Sequence, residues 1–173
     1  MKLSLVLLVL FVCPVLSTAQ SEEHDLRTLL QDSAYVFNRF DEVTTGLDTQ
    51  IDDWNVPAST KKLFKDELSA VSQNVGSEKP TLNQLLLKSK VSSTELLDVY
   101  SEVKEVASEL DGQSSNVSNW GDSAKAIELA QLSAKANILA ANIGVVLRRK
   151  IESQESQLDA CSKRSSSPAT KHK

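Results

Sequence analysis

Glycine, proline, cysteine, histidine and aromatic residues are all scarce in this 173-residue chain, which holds five glycines, four prolines, two cysteines, two histidines and 5% aromatics. Glycine and proline together usually make up about 12% of a protein, and this chain has less than half of that share. Such scarcity excludes a turn-rich all-β architecture and leaves long uninterrupted helices. The two histidines, His24 and His172, lie near opposite ends. No Glu-x-x-His pair exists for a di-iron bundle, no histidine pair one turn apart for zinc, and no Cys-x-x-Cys-His for covalent haem. Gly-x-Ser-x-Gly and glycine-rich phosphate loops are missing too, and the helical body offers no histidine as base for a serine or cysteine nucleophile. The sequence therefore presents no candidate catalytic, cofactor-binding or metal-binding residue, and the expectation is a protein that is not an enzyme.

What is present begins with a targeting signal. Lys2 supplies a positive start, residues 3–16 are an apolar run broken by Pro14, and Ser17-Thr18-Ala19 has the small-x-small form of a cleavage site. Fourteen residues fall short of the roughly 20 that span a bilayer, so the segment reads as a cleaved signal peptide and the protein as secreted or periplasmic. Val12 before Cys13 is too bulky for a lipidation signal. Cleavage after Ala19 removes Cys13 and leaves Cys161 as the single thiol, so no disulfide forms within the mature chain, and Cys161 either stays free or forms an intermolecular disulfide.

Seven of the glycines and prolines (Pro14, Pro57, Gly76, Pro80, Gly112, Gly121 and Pro168) sit where apolar periodicity lapses, and they divide the chain into helices. The first is expected over about 22–54, with Leu29, Val36, Phe40, Val43, Leu47, Ile51 and Trp54 on one face and a weak point at Thr44-Thr45-Gly46. The second follows Pro57, carries Leu63, Phe64, Leu68, Val71 and Val75, and ends at Gly76 after about 25 Å. The third spans 81–111 behind the capping box Thr81-x-x-Gln84, with a heptad seam through Leu82, Leu86, Ser89, Ser93, Leu96, Tyr100, Val103, Ala107 and Leu110. A second capping box, Ser92-x-x-Glu95, follows the poor helix former Val91 and would split this helix into two.

The fourth helix is expected from the N-cap Asp122 to about 162. Over 124–147 apolar residues fall on every face, the pattern of a helix surrounded by others, with Ala126, Ala130, Ala134, Ala140, Ala141 and Gly144 admitting close neighbours and Asn137 and Asn142 as buried amides. Beyond that only a narrow seam of Leu147, Ile151, Gln154, Leu158 and Cys161 remains, suited to a single partner helix or a second copy. Trp54 and Trp120 fall at the same pole.

The fold class is thus all-α, an elongated up-down bundle of four long helices, five if the third breaks near Ser92. Its parts are a signal peptide at 1–19, a bundle domain at 20–162 and a basic disordered tail at 163–173. The tail carries Lys163, Arg164, Lys171 and Lys173 without an acid, whereas 22–53 holds nine acids against Arg27 and Arg39, a balance that excludes nucleic-acid binding by the body. Asp48, Asp52 and Asp53 would face Lys61, Lys62 and Lys65 across the first hairpin, while Glu102 and Glu105 read as a solvated face. Asn116-Val117-Ser118 is a glycosylation sequon in an expected polar loop. The functional expectation is an exported, structural or accessory bundle without a cofactor. It binds a protein partner or a second copy through the last half of its fourth helix, along Leu147, Ile151 and Leu158. The alternative is an amphipathic binder of lipid or hydrophobic surfaces.

Overall fold

The computed structural model describes the backbone of residues 4–165 and the side chains of 25–163. Four α-helices, α1 (Ser4–Gln50), α2 (Ala58–Leu87), α3 (Ser93–Trp120) and α4 (Ser123–Ser165), account for nearly all of it, with a 3-10 turn at Ile51–Asp53 and no strand among the described residues. The protein is an all-α bundle. The backbone of α1 passes through Ala19 without a break. The side chains of the expected signal peptide, of His24 and His172, and of the tail beyond Lys163 lie outside the described residues.

Cross-helix contacts descend in step, so each neighbouring pair is antiparallel. Between α1 and α2, Asp52 meets Lys65 at 2.8 Å, Thr44 meets Ser72 at 3.2 Å, and Asp41 pairs with Lys79. Between α3 and α4, Ser114 Oγ donates to the Ala126 carbonyl at 2.9 Å, and Ser133 Oγ to the Ala107 carbonyl at 2.9 Å. Further along the same pair, Lys104 Nζ donates to Asn137 Oδ1 at 3.1 Å and Ser93 Oγ to Gln154 Oε1 at 3.2 Å. Arg39 on α1 reaches Glu128 on α4 at 2.7 Å and closes the ring. One continuous core runs through all four helices, built on Phe37, Phe40, Leu47, Ile51, Leu96, Leu110, Leu129 and Ile143.

Most of the first helix's stripe buries: Val36, Phe40, Val43, Leu47, Ile51 and Trp54 are in the core, whereas Leu29 is half-buried and Leu26 and Leu30 take the core positions there. Its weak point does not break it. Thr44 is buried, and its hydroxyl donates to the Phe40 carbonyl at 2.9 Å, so the β-branched residue leaves no polar group unsatisfied. At the first turn Pro57 caps α2, and Lys61 Nζ and Lys65 Nζ both reach Asp52, at its carbonyl and its carboxylate. The expected compensation across the hairpin is therefore made, and it centres on Asp52. At the same pole Trp54 is buried edge-on to Phe64, centroids 5.5 Å apart. Gly121 lies against it so closely that a Cβ there would stand 2.9 Å from the indole nitrogen, which is why the α3–α4 turn carries glycine. Trp120 shares the pole and turns outward, 51% exposed.

Three boundaries differ from expectation. α2 does not stop at Gly76; it continues through Pro80 to Leu87, making it 30 residues long and nearly equal to the 28 of α3. Pro80 removes one backbone donor and crowds the carbonyl four residues back. That carbonyl belongs to Gly76, which is exposed with open space around it, so water can serve the freed oxygen. Val75, Leu82 and Leu85, on the opposite face, are 2–3% exposed and hold the helix straight through.

The break falls instead at 88–92, so the favoured continuous third helix over 81–111 is replaced by the split near Ser92. The total remains four helices because the expected break at 76–80 is absent. Ser92 Oγ accepts from the Glu95 amide at 3.2 Å while Glu95 Oε2 accepts from the Ser92 amide at 2.8 Å, a complete capping box. Lys88 pairs with Glu95 and clamps the turn. Gly112 does not interrupt α3, which runs on to Trp120, so Asn116 sits within a helix, half-buried, and not in a loop.

Candidate functional site

Asp122 caps α4 as expected, accepting from the Ala124 amide at 2.8 Å. From there the helix presents two faces. Ala126, Leu129, Leu132, Ala136, Leu139, Ala140, Ile143 and Leu147 face the core. Ile127, Ala130, Ala134, Ile138, Ala141 and Val145 recur at three and four residues on the opposite side and are exposed, Ile127 by 59%, Ile138 by 64% and Val145 by 47%. The expectation that 124–147 is surrounded is thus corrected. α4 packs on α3 and α1 only, and two neighbours cover one side of a helix. Ala130, Ala134 and Ala141 receive no neighbour, while Gly144 lies beside Tyr100. Asn137 and Asn142 are exposed rather than buried, and Asn137 accepts from Lys104 on α3.

The outer stripe spans about 27 Å at 1.5 Å per residue. Between Glu128 and Glu152 α4 contains no acid and four cations, Lys135, Arg148, Arg149 and Lys150. Lys135 Nζ sits 3.8 Å over the Tyr35 ring and Lys150 Nζ holds the Val91 carbonyl at 2.8 Å, whereas Arg148 and Arg149 are exposed. Among the described residues α4 is long and apolar enough, by length and composition, to cross a membrane, and 39% of its most apolar 18 residues are buried.

Beyond Gln154, which meets the start of α3, α4 continues to Ser165, about 16 Å of helix. Every residue over 151–163 apart from the chain's own turns of helix faces solvent, including Ile151, Leu158 (70% exposed) and Cys161. Of the expected seam Leu147, Ile151 and Leu158, Leu147 is the last residue of the core, Ile151 is exposed just before the contact at Gln154, and Leu158 lies on the projecting segment. Cys161 is a free, exposed thiol.

A second feature lies between α1, α2 and α3: a pocket of about 140 Å³ floored by Phe37, Leu82, Leu85 and Val99 and rimmed by Glu78, Asp98 and Glu102. Burial, and then the repulsion of Glu78, Glu105 and Asp98, push the Glu102 carboxyl above its ordinary value. At one end Glu95 is held down to about 2 by Lys88 and by the Ser92 amide and hydroxyl. Glu102 is therefore not part of a uniformly solvated face. No group of three or more His, Cys, Asp or Glu among the described residues converges on a metal-sized site.

The chain matches no protein-family model, no curated protein and no solved structure. The class it belongs to is defined by its own architecture: an all-α, four-helix up-down bundle. Sequence reasoning missed the outer stripe because a helix with apolar residues all round reads as enclosed. The signal that separates the faces is size. The core side of α4 holds four leucines and an isoleucine, whereas the outer side is half alanine.

Proposed function

We propose that the protein is an exported, non-enzymatic bundle of the periplasm or extracellular space that works by binding another protein along α4. The observation that carries this reading is the unbroken exposed stripe Ile127, Ala130, Ala134, Ile138, Ala141 and Val145, followed by the bare helix bearing Ile151 and Leu158. A helix face of this length normally finds a partner in a groove or on another helix, read through anchors at three- and four-residue spacing. Photo-crosslinkers placed at Ile138 and Leu158, with Lys62 as an exposed control on α2, test it in cells that make the protein. One discrete adduct at the α4 positions and none at the control is the expected result. Free monomer at all three positions overturns it, as does a purified protein that sediments as a monomer with 127–145 strongly protected from hydrogen exchange.

A second reading, attachment to an anionic lipid surface, is favoured by one feature: Arg148 and Arg149 flank the stripe and no acid lies between Glu128 and Glu152. Co-flotation with phosphatidylglycerol vesicles, abolished by Ile138→Asp, would select it. Absence of bound protein in that assay leaves the protein partner as the reading.

A further inference from the structure

The pocket between α1, α2 and α3 combines an apolar floor with an acidic rim. Its floor is apolar and deeply buried, with Phe37 and Leu82 each 2% exposed. Its rim carries Glu78, Asp98 and Glu102, and none of the three has an ion-pair partner among the described residues. The one cation at the pocket, Lys88, is taken by Glu95. Three acids at other helix contacts are compensated: Asp41 by Lys79, Asp52 by Lys65, and Glu128 by Arg39 and Lys125. Three uncompensated carboxylates around one opening repel each other and attract positive charge.

Size and spacing decide which cation. The carboxylates do not converge as metal ligands do, and an apolar floor offers nothing to a hydrated ion. A cavity of about 150 Å³ accepts one benzene, so the volume here suits a single ring or short alkyl group. We propose that this pocket binds a small organic cation, an ammonium or guanidinium carrying one apolar group of about phenyl size, with the apolar group on Phe37, Leu82 and Val99 and the charge among Glu78, Asp98 and Glu102. This site is separate from the α4 surface and does not depend on the reading of that surface.

The test is methyl NMR of the full chain titrated with benzyltrimethylammonium, with benzyl alcohol, tetramethylammonium and calcium as comparisons. Saturable shifts confined to the Leu82, Leu85 and Val99 methyls are expected with benzyltrimethylammonium. Binding should be weaker for benzyl alcohol, which lacks the charge, and for tetramethylammonium, which lacks the apolar group. Glu78→Gln and Glu102→Gln should each weaken it by up to about fivefold, the size of a partly exposed ion pair, while Glu152→Gln leaves it unchanged. Equal binding of benzyl alcohol, shifts at the same methyls with calcium, or shifts spread over the whole surface would overturn the proposal. So would unchanged affinity in the two glutamine variants. If a variant fails to fold, the ranking of the four probes on the unaltered protein decides by itself.

Discussion

Two stretches of α2 and its sequel carry opposite local signals and behave in the opposite sense to those signals. Residues 76–80 contain a glycine and a proline, yet the helix runs through them; residues 88–92 contain neither, yet the chain leaves the helix there. At 76–80 the local cost falls on the exposed side, where water can take the Gly76 carbonyl, while Val75 and Leu82 bury on the other. Pro in a helix interior costs about 3 kcal/mol, and burying a Val or Leu returns about 1.5–3 kcal/mol each. Over 87–90 Leu87, Lys88, Ser89 and Lys90 are all exposed, so burial offers little for continuing; Val91 reaches the core once the chain has left the helix, and the Ser92 and Glu95 box satisfies the next helix's amides. A helix ends where its inner face runs out and a cap is available.

Substitutions on the buried side of α2 should have the largest effect. Leu82→Ala should cost about 2–5 kcal/mol in urea unfolding, whereas Leu87→Ala, at an 88% exposed site five residues on, should stay within about 0.5 kcal/mol. Similar losses at both positions would remove burial as the reason α2 continues. Pro80→Ala comes next: replacing an interior proline should stabilise the protein by about 1–3 kcal/mol, whereas a proline opening a helix would give no such gain on removal. Ser92→Ala carries a smaller effect whose sign is diagnostic. Loss of the cap should destabilise by about 1 kcal/mol and speed exchange of the Glu95 amide, while in a continuous helix the same change would be neutral or stabilising.

The smallest effects lie in pH. Glu95 is held below its ordinary 4.5, at about 2, so its contribution is present above pH 4.5 and is lost as pH falls toward 2. Glu102 is raised, chiefly by burial, so the sign reverses: stability falls as pH rises through the window just above 4.5. Carboxyl NMR titration should place the two midpoints on opposite sides of 4.5. Glu102→Gln should remove the loss on raising pH, and Glu95→Gln the loss on lowering it. Coincident midpoints would show that neither the clamp at Ser92 nor the crowded pocket rim acts in solution.

Much of the fold was legible because it follows from periodicity. The α1 stripe, the Asp122 cap and the Asp52 hairpin contacts all depend on residues near one another in the chain or on a single helix face. The pocket was not legible, since Phe37, Leu82, Val99 and Glu102 come from three helices whose register depends on where α2 ends. The α4 surface was half legible. Its projecting segment followed from helix length, but the exposed Ile127, Ile138 and Val145 did not, because hydrophobicity reports what a side chain prefers and not whether a neighbour exists to cover it.

By itself the sequence determined that this protein is helical and that its first helix buries one defined stripe. It also held the Ser92 capping box that opens α3. Each of these is settled within a few helical turns, by hydrogen bonds and spacing that a local stretch of chain already contains. Only the tertiary structure decided that α2 passes Pro80, that three acids crowd one apolar pocket, and that α4 keeps an uncovered face. Those outcomes depend on which surfaces meet, and burial, unlike a cap, is a property of the neighbours as much as of the residue.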